Sequence, residues 1–598
     1  MVASPPRTLC QAFQITAARD PDAVALRTPG GKQEITWQRY ADQVRELAAG
    51  LAALGVTRGD TVGMMLTNRP EAMLVDTAAL HMGAIPFSIY NTSSPEQISY
   101  LFSNAENRVV ITQSDFLPRV QTATGTSVEH IVVVDGPAEG ALTLEELAAR
   151  GDPDFDLETV ARTVEPDDVA TLIYTSGTTG PPKGVEITHA SILAEIDGIL
   201  DNTPIGPDDR IVSYLPTAHI ADRVTAQYLN MVTGMQVTSL DDPKAIATAL
   251  PDVRPTVFFG VPRVWQKIKA GIEAKLAAEP NERKRKIALW AIAAGREAAT
   301  ARLAGRSIGL GLKHRLADRV VLSKLRHALG FDQIRWPASG AAAIPVDTLE
   351  FFHGVGVPVY EVWGMSETTG AATANCEGKV KLGTVGQPGL GVECKLADDG
   401  ELLCRGPIVM RGYRKQPEKT AETVDADGWV HTGDIATVDD EGYVKIVDRK
   451  KELIINEAGK NMSPSNIENA MKAASPLVGQ VVAIGDSRPY VTALIVLDPD
   501  VGAVYADKLG VADASPAVLA EHPAIQKTIT EAVRAGNQQL SRVEQIKRFR
   551  ILPNAWDPGG DELTPTLKLK RRPIADKYAP EIDQLYDATP GPAVVNLG

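Results

Sequence analysis

The sequence predicts an α/β protein in two parts: a large N-terminal domain of doubly wound sheets with a small β unit, and a smaller α/β C-terminal domain. Three observations predict this. The chain has 598 residues, more than the ~250–300 over which one core usually grows. Residues 36–150 alternate helical patterns such as "WQRYADQVRELAAGLAALG" with short apolar runs, "TVGMML", "RVVITQ" and "HIVVVDG"; that is the rhythm of βαβ units. Beyond the polar stretch "DRKKELI", separate strand patterns begin, "QVVAIGD" and "YVTALIVLD".

The elements follow in order. The βαβ rhythm resumes after residue 190 with "RIVSYLP", "MQVTSL" and "PTVFFGVP". Segment 263–330 reads as helical, with Val264, Ile268, Ile272 and Leu276 on one face. It is also basic: Arg263 to Arg326 holds 16 Lys+Arg against 5 Asp+Glu, a local +11. Such a segment is either a solvated helical face or a site for an anionic surface, membrane lipid or the phosphates of coenzyme A. From Gly383 to Val447 short strands and Gly/Asp turns ("GELLCRGP", "DDEGYVKIVD") predict the small β unit. The expected boundaries are 1–447 for the N-terminal domain, 448–451 for a joint and 452–598 for the C-terminal domain.

Composition removes several classes of function. A hydrophobic content of 44% with 23% charged residues is ordinary for a soluble globular protein. The net charge of −14 argues against general nucleic-acid binding. Cys10, Cys376, Cys394 and Cys404 have neither zinc-site spacing nor the pattern of a disulfide framework, which suits a reducing, cytoplasmic setting. The first residues contain no apolar core of a signal peptide. No apolar run approaches the ~18 residues needed to span a bilayer, so any membrane contact is expected to be peripheral.

Chemistry begins at "TLIYTSGTTGPPKGVEITH", Thr171 to His189. An apolar strand-like run precedes a loop of glycines, hydroxyls and one lysine, and a helical-looking segment follows. The loop departs from the P-loop pattern, because Lys183 stands between Pro182 and Gly184. Ser176, Thr178 and Thr179, with N–H groups freed by Gly177 and Gly180, can still wrap a polyphosphate as a nest of donors. Lys183 adds a point charge. A polar surface turn is the plain alternative. In "YEVWGMSETTG", Glu367 follows a Gly-containing turn, where a carboxylate can hold Mg²⁺. In "DGWVHTGDIA", Asp434 is expected at a strand end, suited to accept two ribose hydroxyls. "DRKKELIINEAGKNMSP" places Arg449 and adjacent lysines at the joint. Each alone has a structural reading: a helix-start charge, a turn residue, a surface ion pair.

Together and in this order the stretches resemble the adenylate-forming superfamily of acyl-CoA synthetases, luciferases and peptide-synthetase adenylation domains. "YTSGTTGPPKGV" is similar to its AMP-binding signature and "TPTLKLKR" to its last core motif. "DGWVHTGDIATVDDEGYVKIVDRKKE" is similar to the fatty-acyl-CoA synthetase signature. "YLPTAHIADRV" and "FFGVPRVWQKI" resemble long-chain members, and the Ala-rich chain resembles mycobacterial or actinobacterial ones. The resemblance implies a long-chain fatty acid–CoA ligase that uses ATP, Mg²⁺ and coenzyme A. A fatty carboxylate attacks the α-phosphate, pyrophosphate leaves, and coenzyme A thiol then displaces AMP from the acyl-adenylate.

Carried over by position, Thr175, Ser176, Gly177, Thr178, Thr179 and Lys183 line the phosphates, and Ser366 and Glu367 match a Thr-Glu pair with Glu367 on Mg²⁺. Trp363, with Gly364 beside it, holds the aromatic position against adenine, opposite Gly340 and Ala341. Asp434 and Arg449 hold the ribose, and Lys568 bridges carboxylate and α-phosphate. Lys451 is the hinge of a mobile C-terminal domain. His219 lines the acyl and pantetheine pockets, with a packed core histidine as its alternative. Gly459 and Lys460 are assigned to coenzyme A. One departure stands out: where luciferases use a lysine shortly after this joint, Glu452, Leu453, Ile454 and Ile455 follow here, and no base for the thiol is legible. Rival readings are a fatty-acyl-AMP ligase serving a carrier protein, an aryl-CoA ligase, and a regulatory protein with a decayed site. Oligomeric state is not legible.

Overall fold

The structure is a computed structural model that describes residues 5–123, 125–175, 181–305, 311–457, 460–564 and 567–597. The predicted βαβ region forms a parallel five-stranded sheet. Its strand order is Ile85–Ser88, Thr61–Met65, Val109–Thr112, His130–Val133, Leu142–Thr143. Thr61–Met65 is buried along its whole length, as a strand covered by helices on both faces must be.

The stretch around the glycine-rich loop differs from expectation. Val169–Thr175 (β1) pairs antiparallel with Lys183–Thr188 (β2), and only then does His189–Asn202 (α1) begin. A strand paired with β1, not a helix, therefore follows the glycine-rich stretch. Val185 and Ile187 are buried, which is the period-2 pattern of a strand. Thr188 caps α1 by accepting from the Ser191 N–H at 3.1 Å.

A second five-stranded sheet carries most of the site. Val257–Gly260 (β3) leads into Pro262–Ala278 (α2), Glu282–Leu303 (α3) and Gly311–Ala317 (α4). Trp336–Ser339 (β4) and Tyr360–Met365 (β5) continue the sheet in parallel, and Gly370–Ala374 (β6) folds back antiparallel on β5. Trp265, fully buried at the start of α2, meets Phe258, Phe331 and Phe352 with ring centroids 4.9–5.7 Å apart. This aromatic cluster pins the basic helical region to the sheet that bears the site.

The small β unit is a four-stranded antiparallel sheet of Glu393–Leu396 (β7), Glu401–Arg405 (β8), Val430–Val438 (β9) and Val444–Arg449 (β10). Asp434 lies in the middle of β9, not at a strand end, and pairs in register with Arg449 at the end of β10. Beyond the turn at 450–452, separate apolar cores gather residues from Ile454 onward. There Pro464–Ala474 (α5) packs on a mixed sheet whose strand Val491–Leu497 (β11) leads into Pro499–Leu509 (α6). The N-terminal cores stop at Val444 and its partly buried neighbour Ile446.

Candidate active site

One cleft of about 1630 Å³ is bounded by β1 and β2, α1, β5 and β6, the β9–β10 hairpin and the C-terminal residues Leu567–Arg571. Its floor depends on close backbone approach. A Cβ on Gly364 would lie 1.6 Å from the Gly370 carbonyl oxygen, so only glycine lets β5 and β6 meet there. Ser366–Thr368 then makes a tight turn that exits through Thr369 at φ 58. That left-handed conformation is held by the Thr369 hydroxyl, which donates to the Ile408 carbonyl at 2.6 Å. On the facing wall Ala341 follows Gly340 at φ 67.

Lys183, at the start of β2, reaches the carboxylate of Glu367 through a residue the sequence did not single out. Its Nζ donates to the Tyr413 hydroxyl at 2.9 Å and lies 4.0 Å from the centre of that ring. The same hydroxyl donates to Glu367 Oε1 at 2.7 Å. Gly412–Tyr413 is a two-residue strand added to the edge of β2, with Tyr413 opposite Val185. Burial pulls the Lys183 ammonium below its ordinary value, and Glu367 opposes the change. Thr175 lines the cleft at the end of β1. Ser176, Gly177, Thr178, Thr179 and Gly459 lie outside the described residues.

Asp434 anchors the other end. Its Oδ2 accepts from the Trp363 indole N–H at 2.9 Å, and its Oδ1 pairs with Arg449 Nε at 2.8 Å. Burial raises the Asp434 pKa, while Arg449, Trp363 and Lys568 favour the ionised form. A carboxylate offers about four lone-pair positions, so two such bonds leave room for further donors. Glu361, two residues before Trp363 on the same face of β5, is 7% exposed and lines the cleft. It accepts from the Gly383 N–H at 3.1 Å, and burial pushes its pKa up to about 8.

The C-terminal segment brings Lys568 into this site. The Lys568 N–H donates to Thr564 Oγ1 at 3.0 Å, and Leu567 before it has φ 65. Lys568 is exposed to the cleft yet enclosed by its walls. That enclosure lowers its pKa and Arg449 lowers it further, whereas Asp434, Glu367 and Glu452 oppose. His219 caps a short helix, its Nδ1 accepting from the Ala221 N–H at 3.1 Å. Burial drops its pKa to about 4, with Lys568 contributing, so near neutral pH the ring is uncharged with Nδ1 as acceptor. Lys451 lines the cleft from the turn after β10, and Lys460 is exposed, outside the cleft lining.

Two further groups of contacts fasten the C-terminal part. The Asp448 carboxylate accepts from the Ser463 hydroxyl (2.6 Å), the Ser465 N–H (2.9 Å) and the Ser465 hydroxyl (3.0 Å) at the start of α5. From the basic segment, Arg263 pairs with Asp498 at 2.9 Å and Lys267 with Asp500 at 2.7 Å, at the start of α6.

Among the described residues no group of three or more His, Cys, Asp or Glu side chains could hold an ion alone. Mg²⁺ takes one or two carboxylates and completes its shell with phosphate oxygens and water, and one buried Glu367 beside Lys183 fits that demand.

A lysine joined to a carboxylate through a tyrosine, a buried aspartate beside an indole, and a lysine from the C-terminal segment thus line one cleft. The chain belongs to the AMP-binding enzyme family, which matches residues 13–414, with the AMP-binding enzyme C-terminal domain matching residues 451–590. It is 55% identical over 460 residues to fadD11 of Mycobacterium tuberculosis, named as a fatty-acid–CoA ligase, covering 76% of this chain and 80% of that protein. It is 36% identical over 579 residues to the long-chain-fatty-acid–CoA ligase FadD15 of Mycobacterium bovis, covering 95% of each. The adenylation domain of a Mycobacterium chelonae carboxylate reductase shares the fold with a TM-score of 0.78 at 20% identity, over 98% of this chain and 92% of that one. An anthranilate CoA ligase solved with anthranoyl-AMP does so at 0.73 and 20% identity, over 96% and 98%.

Proposed function

We propose that the chain is a long-chain fatty acid–CoA ligase that forms an acyl-adenylate from ATP and then an acyl-CoA with release of AMP. The observation that carries this reading is the convergence of Lys183, Glu367, Asp434 and Lys568 on one cleft, beside relatives named for that activity. Lys183 neutralises charge on the outer phosphates, and Tyr413 holds it in register with Glu367. Asp434 and Arg449 take the ribose, Trp363 packs on adenine, and Glu361 is placed to accept from the purine amino group. Mg²⁺, held by Glu367 and phosphate oxygens, supplies charge neutralisation when bound. Lys568 lies where carboxylate and α-phosphate must meet, so its work is to bring two anions together and stabilise the charge that develops. Pyrophosphate then leaves.

For the second step we place a hinge at 448–451, about Lys451, between an N-terminal domain of 1–447 and a C-terminal domain of 452–598. Rotation there withdraws Lys568 and admits the thiol of coenzyme A, with Gly459 and Lys460 as its proposed contacts. His219 lines the same cleft as Lys568, whose charge helps lower its pKa, in keeping with a role at the acyl end. A panel of short, medium, long and aromatic acids, scored for coenzyme A-dependent AMP formation, tests the reading. Activity should rise with chain length by about 0.8 kcal/mol per buried methylene until the channel ends. Best activity on acetate or benzoate would contradict it, and AMP release only with a carrier protein would favour the acyl-AMP ligase.

Peripheral contact with an anionic membrane belongs to the same proposal. On α3, Ile287, Leu289 and Trp290 are exposed, as are Leu312 and Leu316 on α4 and Val320 beyond it. α4 packs on α3, and Arg283, Lys284, Arg315 and Arg319 flank these apolar side chains without ion pairs among the described residues. Apolar contact ringed by cations suits an anionic bilayer surface. No described helix is long and apolar enough to cross a membrane. Co-sedimentation with phosphatidylglycerol vesicles should exceed that with phosphatidylcholine vesicles, and Leu312→Glu with Leu316→Glu should abolish the difference. Equal, salt-insensitive partitioning would leave α3 and α4 as a solvated face.

A further inference from the structure

The chemistry above leaves one buried carboxyl of the cleft unused. Glu195 lies on α1, three residues before Gly198 and seven before Asn202, and all three line the cavity. It is 4% exposed. Its Oε1 accepts from the Ala371 N–H at 2.7 Å. Among the described residues no cation and no second donor meets the carboxyl. Its neighbours on α1, Ala194 and Ile199, also line the cleft and are apolar, and Gly370 lies close, since a Cβ added there would be 2.8 Å from Oε1. Burial pushes its pKa up to about 8, so near neutral pH it is mostly a carboxylic acid, able both to donate and to accept. A polar group left unpaired in such a wall is costly, and an alkyl chain passing it would be served better by leucine.

Its place in the fold says which part of a substrate it meets. Ala371, the residue it holds, pairs with Gly364 across β5 and β6. Directly paired strand residues lie about 5 Å apart, and Gly364 stands between Trp363, assigned to adenine, and Ser366 and Glu367, assigned to the phosphates and Mg²⁺. Glu195 therefore faces the first part of a chain leaving the reacting end along α1 toward Asn202. We infer that Glu195 is a specificity-determining residue that takes a hydroxyl group within the first few carbons of the acid, so that the preferred substrates are long-chain hydroxy acids. The inference rests on the fatty acid ligase reading and narrows its substrate class.

The test compares 16-carbon acids that are unsubstituted, 2-hydroxylated, 3-hydroxylated or ω-hydroxylated, with kcat/KM read from pyrophosphate release. Wild type should favour the 2- or 3-hydroxy acid over the unsubstituted acid by about tenfold or more, because the unsubstituted chain leaves the carboxyl unpaired. Glu195→Leu should lose or reverse that preference, and Glu195→Gln, which can still donate and accept, should keep most of it. The ω-hydroxy acid should behave as unsubstituted in all three. If Glu195→Leu fails to fold by circular dichroism, the preferences of wild type and Glu195→Gln decide. Wild-type activity on unsubstituted acids with no hydroxyl preference overturns the inference and leaves the ligase reading standing. A wild type inert toward the whole panel overturns that reading as well.

Discussion

Tyr413 joins Lys183 to Glu367, two residues it meets across 230 and 46 positions of sequence. Removing its hydroxyl leaves a buried carboxylate without that donor and frees the lysine. Tyr413→Phe should therefore lower adenylation by about ten- to a hundredfold, matching the ~1.5–3 kcal/mol of a charge-assisted bond, as read by ATP–pyrophosphate exchange. Glu195 carries a pH signature. Its folded-state pKa is raised from 4.5 to about 8, so the folded protein holds the extra proton between those values. The contribution is favourable below about pH 4.5 and is lost as pH rises toward 8. Thermal melts of Glu195→Gln should match wild type near pH 5 and gain on it toward pH 8, by at most about 4–5 kcal/mol. A constant difference across that range would contradict the assignment. At this scale the sequence was partly legible. Lys183, Glu367, Asp434, Arg449 and Lys568 stand in recognisable motifs, whereas Tyr413, Glu361 and Glu195 acquire their environment only through contacts between distant strands. No local pattern marks a carboxyl as buried.

The strands and helices were legible wherever one face is apolar: Trp37–Ala53, Thr61–Met65 and Val491–Leu497 all fall on patterned stretches. Two local readings were revised by pairing. The segment after the glycine-rich loop is a strand because Val185 and Ile187 enter the core beside β1. Asp434 sits mid-strand because β9 runs on to Val438 against β10. Such register depends on the partner strand and is not written locally. The Asp448 carboxylate, 4% exposed, is the element-level contact most open to test, since it gathers the first turn of α5. Asp448→Ala removes the acceptor of the Arg449 N–H, the Ser465 N–H and the Ser465 hydroxyl, and one of two acceptors of the Ser463 hydroxyl, and should cost about 2–4 kcal/mol in urea unfolding. A loss below about 0.5 kcal/mol would mean the contact is incidental.

For the whole molecule, the basic segment expected to face an anionic surface contributes cations to the C-terminal domain as well. Arg263, paired with the nearly buried Asp498, and Lys267 hold that domain where Lys568 reaches the cleft. Because Lys267 and Asp500 are exposed, most of the effect belongs to the first pair. Arg263→Ala with Lys267→Ala should slow adenylation by about three- to tenfold at low salt and less at high salt, while the thioester step is spared. The central claim is that one domain serves two reactions in two positions, and it is tested most directly by measuring both half-reactions on Lys568→Ala and Lys451→Pro. Lys568→Ala should lose adenylate formation by about 10²–10³ yet convert supplied acyl-adenylate to acyl-CoA near the normal rate. Lys451→Pro, with φ fixed near −65° at the joint, should still form adenylate and fail to form thioester. Parallel loss of both half-reactions in both variants, with folding intact, would contradict the account.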